Sequence, residues 1–156
     1  MSAPAAAARP SNRGFWRVIL AFGAGSVALV VLVIVFRPVA RTGAVAFAQA
    51  NLRTAAAVAQ RIADREGTLG AATAVRMRSE PEAADLLFID PDTSSNDSEI
   101  VSVFAGDSSW TGAARADTGE CFWLRLESSG RQVVGTGTDC SGEDASEAAA
   151  GVWPEP

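Results

Sequence analysis

The stretch Cys121-Phe-Trp-Leu-Arg-Leu-Glu127 (CFWLRLE) decides how the C-terminal part of this chain folds. Successive side chains of a β-strand point to opposite faces, so Phe122, Leu124 and Leu126 share one apolar face. The opposite face carries the side chains in between, which are Cys121, Trp123 and Arg125. The stretch therefore predicts a strand whose apolar face must be covered by another element.

Further strand-like runs flank this stretch, at Glu99–Ala105, Ser109–Ala116 and Arg131–Gly135. The tripeptides Asp117-Thr118-Gly119 and Ser128-Ser129-Gly130 separate the last three runs and suit hairpin turns. The sequence therefore predicts an antiparallel sheet, within an ectodomain over residues 68–142.

An amphipathic helix is predicted over residues 38–67, immediately before this ectodomain. Its apolar residues recur at three- and four-residue steps, and Gly67 suits a helix C-cap. The apolar positions are Val45, Ala48, Leu52, Ala55 or Ala56, Ala59 and Ile62. We expect this helix to lie on the apolar face of the sheet, which gives an α+β fold.

The uncharged run Val18–Phe36 lies upstream, between Arg17 and Arg37. As a helix, its 19 residues would span about 28 Å, close to the hydrocarbon thickness of a bilayer. We therefore predict a transmembrane helix over residues 15–37, which the amphipathic helix continues. Residues 1–14 are predicted to be a disordered cytoplasmic tail, because they are of low complexity and contain two prolines.

A cleaved signal peptide is the alternative interpretation of this run. Basic residues precede it, and small residues follow at Ala44-Val45-Ala46, Ala46-Phe47-Ala48 and Ala48-Gln49-Ala50. The run is, however, longer than a typical signal core, and two arginines and a proline separate it from those sites. We favour a retained single-pass anchor in the cell membrane.

Charge and composition limit the classes of function. Residues 1–37 carry a charge of +4 and residues 38–156 a charge of −9, which favours a cytoplasmic N-terminus and an extracytoplasmic C-terminal domain. The acidic domain argues against nucleic acid as a partner. The chain has no histidine, which removes the usual general base. We expect no enzyme activity, no cofactor and no small-molecule substrate.

The two cysteines, Cys121 and Cys140, both lie in the predicted ectodomain. In an oxidising compartment they would form a disulfide, whereas the alternative is two separate buried thiols. Two cysteines without a histidine would leave a zinc ion half coordinated, so we expect no metal site. We favour the disulfide, which agrees with an extracytoplasmic domain.

Several acidic and aromatic residues suggest a site but fit a structural role better. Asp92, Asn96, Asp97 and Glu99 lack the spacing of a known calcium loop, and we interpret the Asp90–Glu99 segment as a solvated turn. The acid pairs that flank Pro81 and Pro91 are interpreted in the same way, as parts of solvated turns.

Trp110, Trp123 and Trp153 could form a ligand platform, although sheet packing fits Trp110 and Trp123 better. Residues 143–156 are predicted to be a polar C-terminal tail.

The order of elements resembles that of type IV pilins and pseudopilins, in which a membrane helix continues into an amphipathic helix on a small sheet. The stretches that resemble small actinobacterial pilin-like proteins are Asn51–Ala55, Ala113–Arg125, and Gly135–Gly137 followed by Cys140. The resemblance implies that two strands pair and that a disulfide ties the last of them to the C-terminal loop. It also implies processing between Gly14 and Phe15.

One position departs from the family's pattern. A pilin carries a glutamate five residues into the mature chain, where this sequence has Ile19. The resemblance therefore implies a structural or assembly component of a type IV pilus or a type II secretion-like apparatus, with protein partners there, but not a major fibre subunit. The alternative is a membrane-tethered extracytoplasmic binding module that does not polymerise.

Overall fold

The predicted amphipathic helix is present in the computed structural model, which describes residues 42–155. This helix, α1, occupies residues 42–66. Every apolar position that the periodicity selects is buried, together with Val58. Gly67 ends α1 with a φ of +82° and donates its N–H to the carbonyl of Ala63 at 2.7 Å, as expected of a glycine C-cap.

Within residues 42–155, no helix is both long enough and apolar enough to cross a membrane. The run Val18–Phe36, with the transmembrane helix predicted on it, lies outside the described residues, as do the predicted tail and the Gly14–Phe15 processing site. The amphipathic half of the predicted long helix is therefore the half that can be compared with the structure.

Five strands follow α1, after two single-turn 3-10 helices and a short α-helix, α2 (Ala74–Met77). The 3-10 turns are Leu69–Ala71 and Pro81–Ala83. The strands are β1 (Leu87–Ile89), β2 (Ile100–Ala105), β3 (Ser109–Arg115), β4 (Cys121–Glu127) and β5 (Gln132–Gly137). A last helix, α3, spans Gly142–Glu147. The strands lie in the sheet in chain order.

The predicted antiparallel sheet is wrong, because the sheet is mixed. β2 to β5 pair antiparallel, but β1 runs parallel to β2, with Leu87 opposite Ile100 and Ile89 opposite Ser102. The predicted α+β fold is therefore only partly consistent with the structure, and the helix in it, α1, is not apolar enough to span a membrane. The strand-like runs named in the sequence begin at Glu99 and do not include β1.

The parallel pair is possible because an ordered loop, residues 90–99, returns the chain to the start of β2. Ser95 lies at its centre and is almost fully buried. The Ser95 N–H donates to the carbonyl of Cys140 at 2.8 Å, and its hydroxyl donates to the carbonyl of Ile100 at 2.6 Å. In turn, the Arg115 N–H donates to the Ser95 hydroxyl at 3.1 Å. These bonds satisfy buried polar groups that a crossover without a helix would otherwise leave unpaired.

The sheet is covered on both faces. The first face packs on α1 through a core that includes Val101, Val103, Trp110, Phe122, Leu124 and Leu126. A smaller cluster covers the second face and contains Ala113, Cys121, Trp123, Cys140 and Ala145. The alternation predicted for residues 121–126 is thus confirmed for its apolar face and for Cys121 and Trp123.

Two buried tryptophans lie flat across glycines. On the first face the Trp110 ring lies across Gly112, where an added Cβ would come within 2.6 Å of Cη2. On the second face the Trp123 ring lies against Gly135 of the neighbouring strand, so closely that a Cβ there would overlap the indole. Each ring therefore needs a glycine beneath it.

A charged cluster ties the end of α1 to the segment before β1. The Arg65 guanidinium donates to the Glu80 carboxylate at 2.6 Å, and Arg76 lies 3.1 Å from the same oxygen. The Glu80 side chain is only 8% exposed. The hydrogen bond from Arg65 is the largest cause that holds the pKa of Glu80 below its ordinary value.

We predict that Gly135→Ala lowers the free energy of unfolding by about 1–3 kcal/mol, because the new methyl group displaces the Trp123 ring. Chemical denaturation of the full chain in detergent, followed by tryptophan fluorescence, measures the change. Gly43→Ala is the control, since the Gly43 position in α1 has open space around it. A Gly135→Ala variant as stable as the wild type would contradict the packing described for Trp123.

We also predict a pH-dependent effect of Glu80→Gln. A carboxyl whose pKa is lower in the folded protein stabilises it above its unfolded pKa and loses that contribution as the pH falls through the folded value. The variant should therefore be less stable than the wild type at pH 7, and the difference should vanish in acid. Thermal unfolding at several pH values measures it.

Glu82→Gln provides the matched control for this series. The Arg61–Glu82 pair is about half exposed on both sides, so its loss should change stability little at any pH. A Glu80→Gln difference that stays constant down to strongly acidic pH would contradict the proposed contribution of the charged carboxylate.

Candidate functional site

The disulfide predicted from the two cysteines is confirmed. Cys121 begins β4, and Cys140 lies two residues before α3, with 5.4 Å between their Cα atoms. Both residues are buried on the second face of the sheet. The bond therefore holds residues 138–148, a covering segment, against the start of β4.

Helix α3 is capped at its N-terminus and docked closely on β2. Ser141 is its N-cap and accepts the N–H of Asp144 at 3.1 Å. The Gly142 N–H donates to the hydroxyl of Ser102 on β2 at 2.8 Å. A Cβ on Gly142 would come within 2.6 Å of the Phe104 nitrogen, so only glycine allows this approach. Backbone contact, rather than large side chains, therefore positions α3.

Arg125 of β4 holds the other end of α3. Its guanidinium donates to the carbonyls of Ser146 at 2.6 Å and of Ala148 at 3.3 Å, and it lies 5.5 Å from the Trp123 ring centroid. A cation at a helix C-terminus satisfies carbonyls that have no partner within the helix. Arg125, which the alternation in the sequence places on the second face, thus caps the C-terminus of α3 with its side chain.

Beyond α3, residues 148–155 form a strap along β5. The Gly151 N–H donates to the carbonyl of Val134 at 2.9 Å, and the indole N–H of Trp153 donates to the carbonyl of Gly135 at 3.1 Å. The Gln49 side chain donates to the carbonyl of Pro154 at 3.1 Å. The strap therefore joins the outer edge of β5 to α1, within the segment for which the sequence predicts a polar tail.

Trp153 is the main anchor of the strap. Its ring packs edge-to-face on Phe122, with centroids 6.5 Å apart, and the Arg53 guanidinium lies 5.0 Å from its centroid. Edge-to-face aromatic pairs and cation–π contacts each contribute about 0.5–1.5 kcal/mol. Trp153 thus connects β4, β5 and α1 at one point.

A groove of about 460 Å³ lies between the strap and the Cys121–Gly137 end of the sheet. It is lined by Glu120, Cys121, Phe122, Thr136, Gly137, Val152 and Pro154. Its lining is mainly apolar and includes one acidic residue and one residue with a hydroxyl group. This composition suits a small apolar side chain with a polar end rather than a charged ligand.

The other candidate residues do not come together. Trp110 and Trp123 lie on opposite faces of the sheet and Trp153 lies in the strap, so the three form no platform. The Asp97 carboxylate accepts the N–H of Glu99 at 3.0 Å, which is a local turn contact. Among residues 42–155, no group of three or more acidic or sulfur side chains is placed to hold a metal ion.

The strap and the caps of α3 were not predicted from the sequence. Ser141 followed by Asp144 is a helix N-cap signal that could have been read from the sequence. The strap carries no such signal, because its anchors Arg53, Phe122 and Gly135 are distant in sequence and each contributes one contact.

We predict that the double variant Cys121→Ala/Cys140→Ala loses about 3 kcal/mol of unfolding free energy, because the unfolded chain is no longer constrained by the cross-link. Urea unfolding of the full chain in detergent measures the loss. The wild type unfolded with and without reductant is the control, since no side chain changes. Mass spectrometry that finds both thiols free in the native protein would contradict the disulfide.

No protein-family model, no curated protein and no solved structure matches this chain. The resemblance to type IV pilins therefore stays an expectation from the sequence pattern at residues 51–55, 113–125 and 135–137 and at Cys140. The fold and the strap rest on the contacts of residues 42–155 described above.

Proposed function

We propose that this chain is a membrane-anchored extracytoplasmic protein that serves as a structural or assembly component of a type IV pilus or a type II secretion-like apparatus. The observation that carries the proposal is the position of α1. The apolar run ends at Phe36, and residue 42 is already in a helix whose apolar side chains form the core of the domain. Only five residues of the chain, 37–41, separate a membrane anchor on that run from the helix that contributes to the core.

Retention of the run is supported by the burial of residues near the possible signal cleavage sites. Cleavage after Ala46 would remove Val45, which is 6% exposed, and cleavage after Ala48 or Ala50 would also remove the fully buried Ala48. Each cut would leave apolar surface of the sheet uncovered. A retained anchor keeps α1 whole.

The orientation follows from the disulfide together with the charge pattern. The Cys121–Cys140 bond indicates an oxidising, extracytoplasmic environment for the domain. The excess of arginine over acidic residues before the run favours a cytoplasmic N-terminus. Both point to a single-pass protein with its C-terminal domain outside the cytoplasm.

The outer face of α1 supports an assembly role. It carries Phe47, which is 49% exposed, and the small exposed residues Gly43, Ala50 and Ala57, and these four positions follow one another at steps of four, three and seven residues. This face is not needed for the core, and its small side chains leave room for a neighbouring helix. Protein partners in the apparatus would meet the domain here.

A tethered binding module that does not polymerise is the second candidate. The groove between the strap and the Cys121–Gly137 end of the sheet favours it, because the groove offers an apolar recess next to rigid, disulfide-linked backbone. On this alternative the domain recruits a protein partner through the sheet end and stays monomeric in the membrane.

Fractionation of native envelopes tests the proposal. An assembly component is expected in sheared filaments, or in a complex with the ATPase and platform of a secretion apparatus. A monomer confined to the membrane fraction would overturn this assignment in favour of the binding module. Intact mass and N-terminal sequencing of the same material distinguish a methylated Phe15, an unprocessed anchor, and a start at Phe47, Gln49 or Asn51.

We predict that Phe47→Glu reduces co-isolation with filaments or apparatus at least several-fold, because it places a charge on the outer face of α1. Val75→Glu is the matched control, since Val75 is 68% exposed and belongs to a different helix, α2. Quantitative blotting of the two fractions measures the effect. Equal loss in both variants would argue against α1 as the contact surface.

A further inference from the structure

The two edges of the sheet are protected to different degrees. β1 has only three residues and offers little edge for a further strand. β5 has six residues, and its sequence Gln-Val-Val-Gly-Thr-Gly contains no charge and no proline. Natural proteins protect such an edge with charges, bulges or a covering segment, because it can pair with another chain. β5 therefore depends on a covering segment.

The pairing of β4 and β5 identifies the outward backbone groups of β5. Glu127 donates its N–H to Arg131, which makes these two residues a hydrogen-bonded antiparallel pair. Because such pairs alternate along the ladder, the odd-numbered residues of β5 face β4 and the even-numbered ones face outward. The outward groups are those of Gln132, Val134 and Thr136.

The strap covers this edge with little backbone pairing. Within residues 42–155, the Gly151 N–H to the carbonyl of Val134 is the only backbone hydrogen bond between the strap and β5. The strap is held mainly by the side chain of Trp153. Side chains of Gln49 and Arg125 also bind its two ends. A segment held mostly by side-chain contacts, with one backbone bond to β5, is easier to displace than a paired strand.

We propose that the strap, residues 148–155, keeps β5 from pairing with β5 of a second copy of this chain. When the strap is displaced, two copies join their sheets edge to edge about a two-fold axis. The inference does not depend on the membrane anchor or on the proposed apparatus, because it needs only β5 and the strap.

A second copy fits this edge in register and in charge. Antiparallel pairing centred on Val134 places Val134 opposite its own counterpart and Gln132 opposite Thr136, so the outward groups of both strands can pair. Because β5 has no charged residue, no like charges would face each other between the two copies of the strand. Beyond its ends, exposed Arg131 of one copy approaches exposed Asp139 of the other. These features favour a copy of the same strand over an unrelated segment.

Trp153→Ala tests the proposal in the full chain, purified in detergent. We predict self-association about tenfold tighter than in the wild type, measured by sedimentation, with slower amide exchange at Val134 and Thr136 as concentration rises. Val152→Ala is the matched control, because Val152 is 84% exposed in the same segment. It should behave as the wild type.

A second-site change identifies the surface. Adding Val134→Pro to Trp153→Ala removes an outward N–H that β4 does not use, so it should restore the weaker self-association of the wild type. Gly151→Pro, which removes the single backbone bond of the strap, should also promote pairing if Trp153→Ala folds poorly. The proposal is overturned if neither strap variant associates more tightly, or if Val134→Pro leaves the association unchanged.

Discussion

The burial of β4 on both faces is the constraint on which the rest of this structure depends. Phe122, Leu124 and Leu126 require a cover on one side, and Cys121 and Trp123 require another. Residues 42–155 contain a single long helix, α1, and it covers the larger face. The second cover is built from a six-residue helix and the segment before it, which the disulfide holds in place. A disulfide bond to β4 thus replaces the apolar area that a second long helix would bury.

The sequence predicted features whose cause is local. The stripe of α1, its end at Gly67, the alternation in β4 and the glycine turns at Gly119 and Gly130 each follow from a few neighbouring residues. The parallel pairing of β1 could not be predicted in the same way. It depends on Ser95, whose partners Cys140 and Arg115 lie 20 or more residues away. Turn-rich composition showed that residues 90–99 leave the sheet, but not where they return.

The candidate site was predicted to a similar extent. Both cysteines were identified, and the predicted extracytoplasmic compartment favoured the bond that the structure contains. The groove and the strap depend on Trp153, whose one-sided contacts with Arg53, Phe122 and Gly135 leave no periodic pattern in the sequence. A lone tryptophan in a polar segment carries little information until the surfaces around it are known. Membrane attachment stays a prediction from the run upstream of α1.

The bond between Gln49 and Pro154 spans 105 positions of the chain. The strands β2 to β5, by contrast, pair with neighbours joined by short turns, and they can form as soon as each turn is complete. Contacts between distant positions carry a larger loop-closure cost and tend to form late. The first turns of α1 therefore gain their last contacts only after residue 154 has emerged. During synthesis, the contact between the first turns of α1 and the strap is therefore the last of these contacts to form.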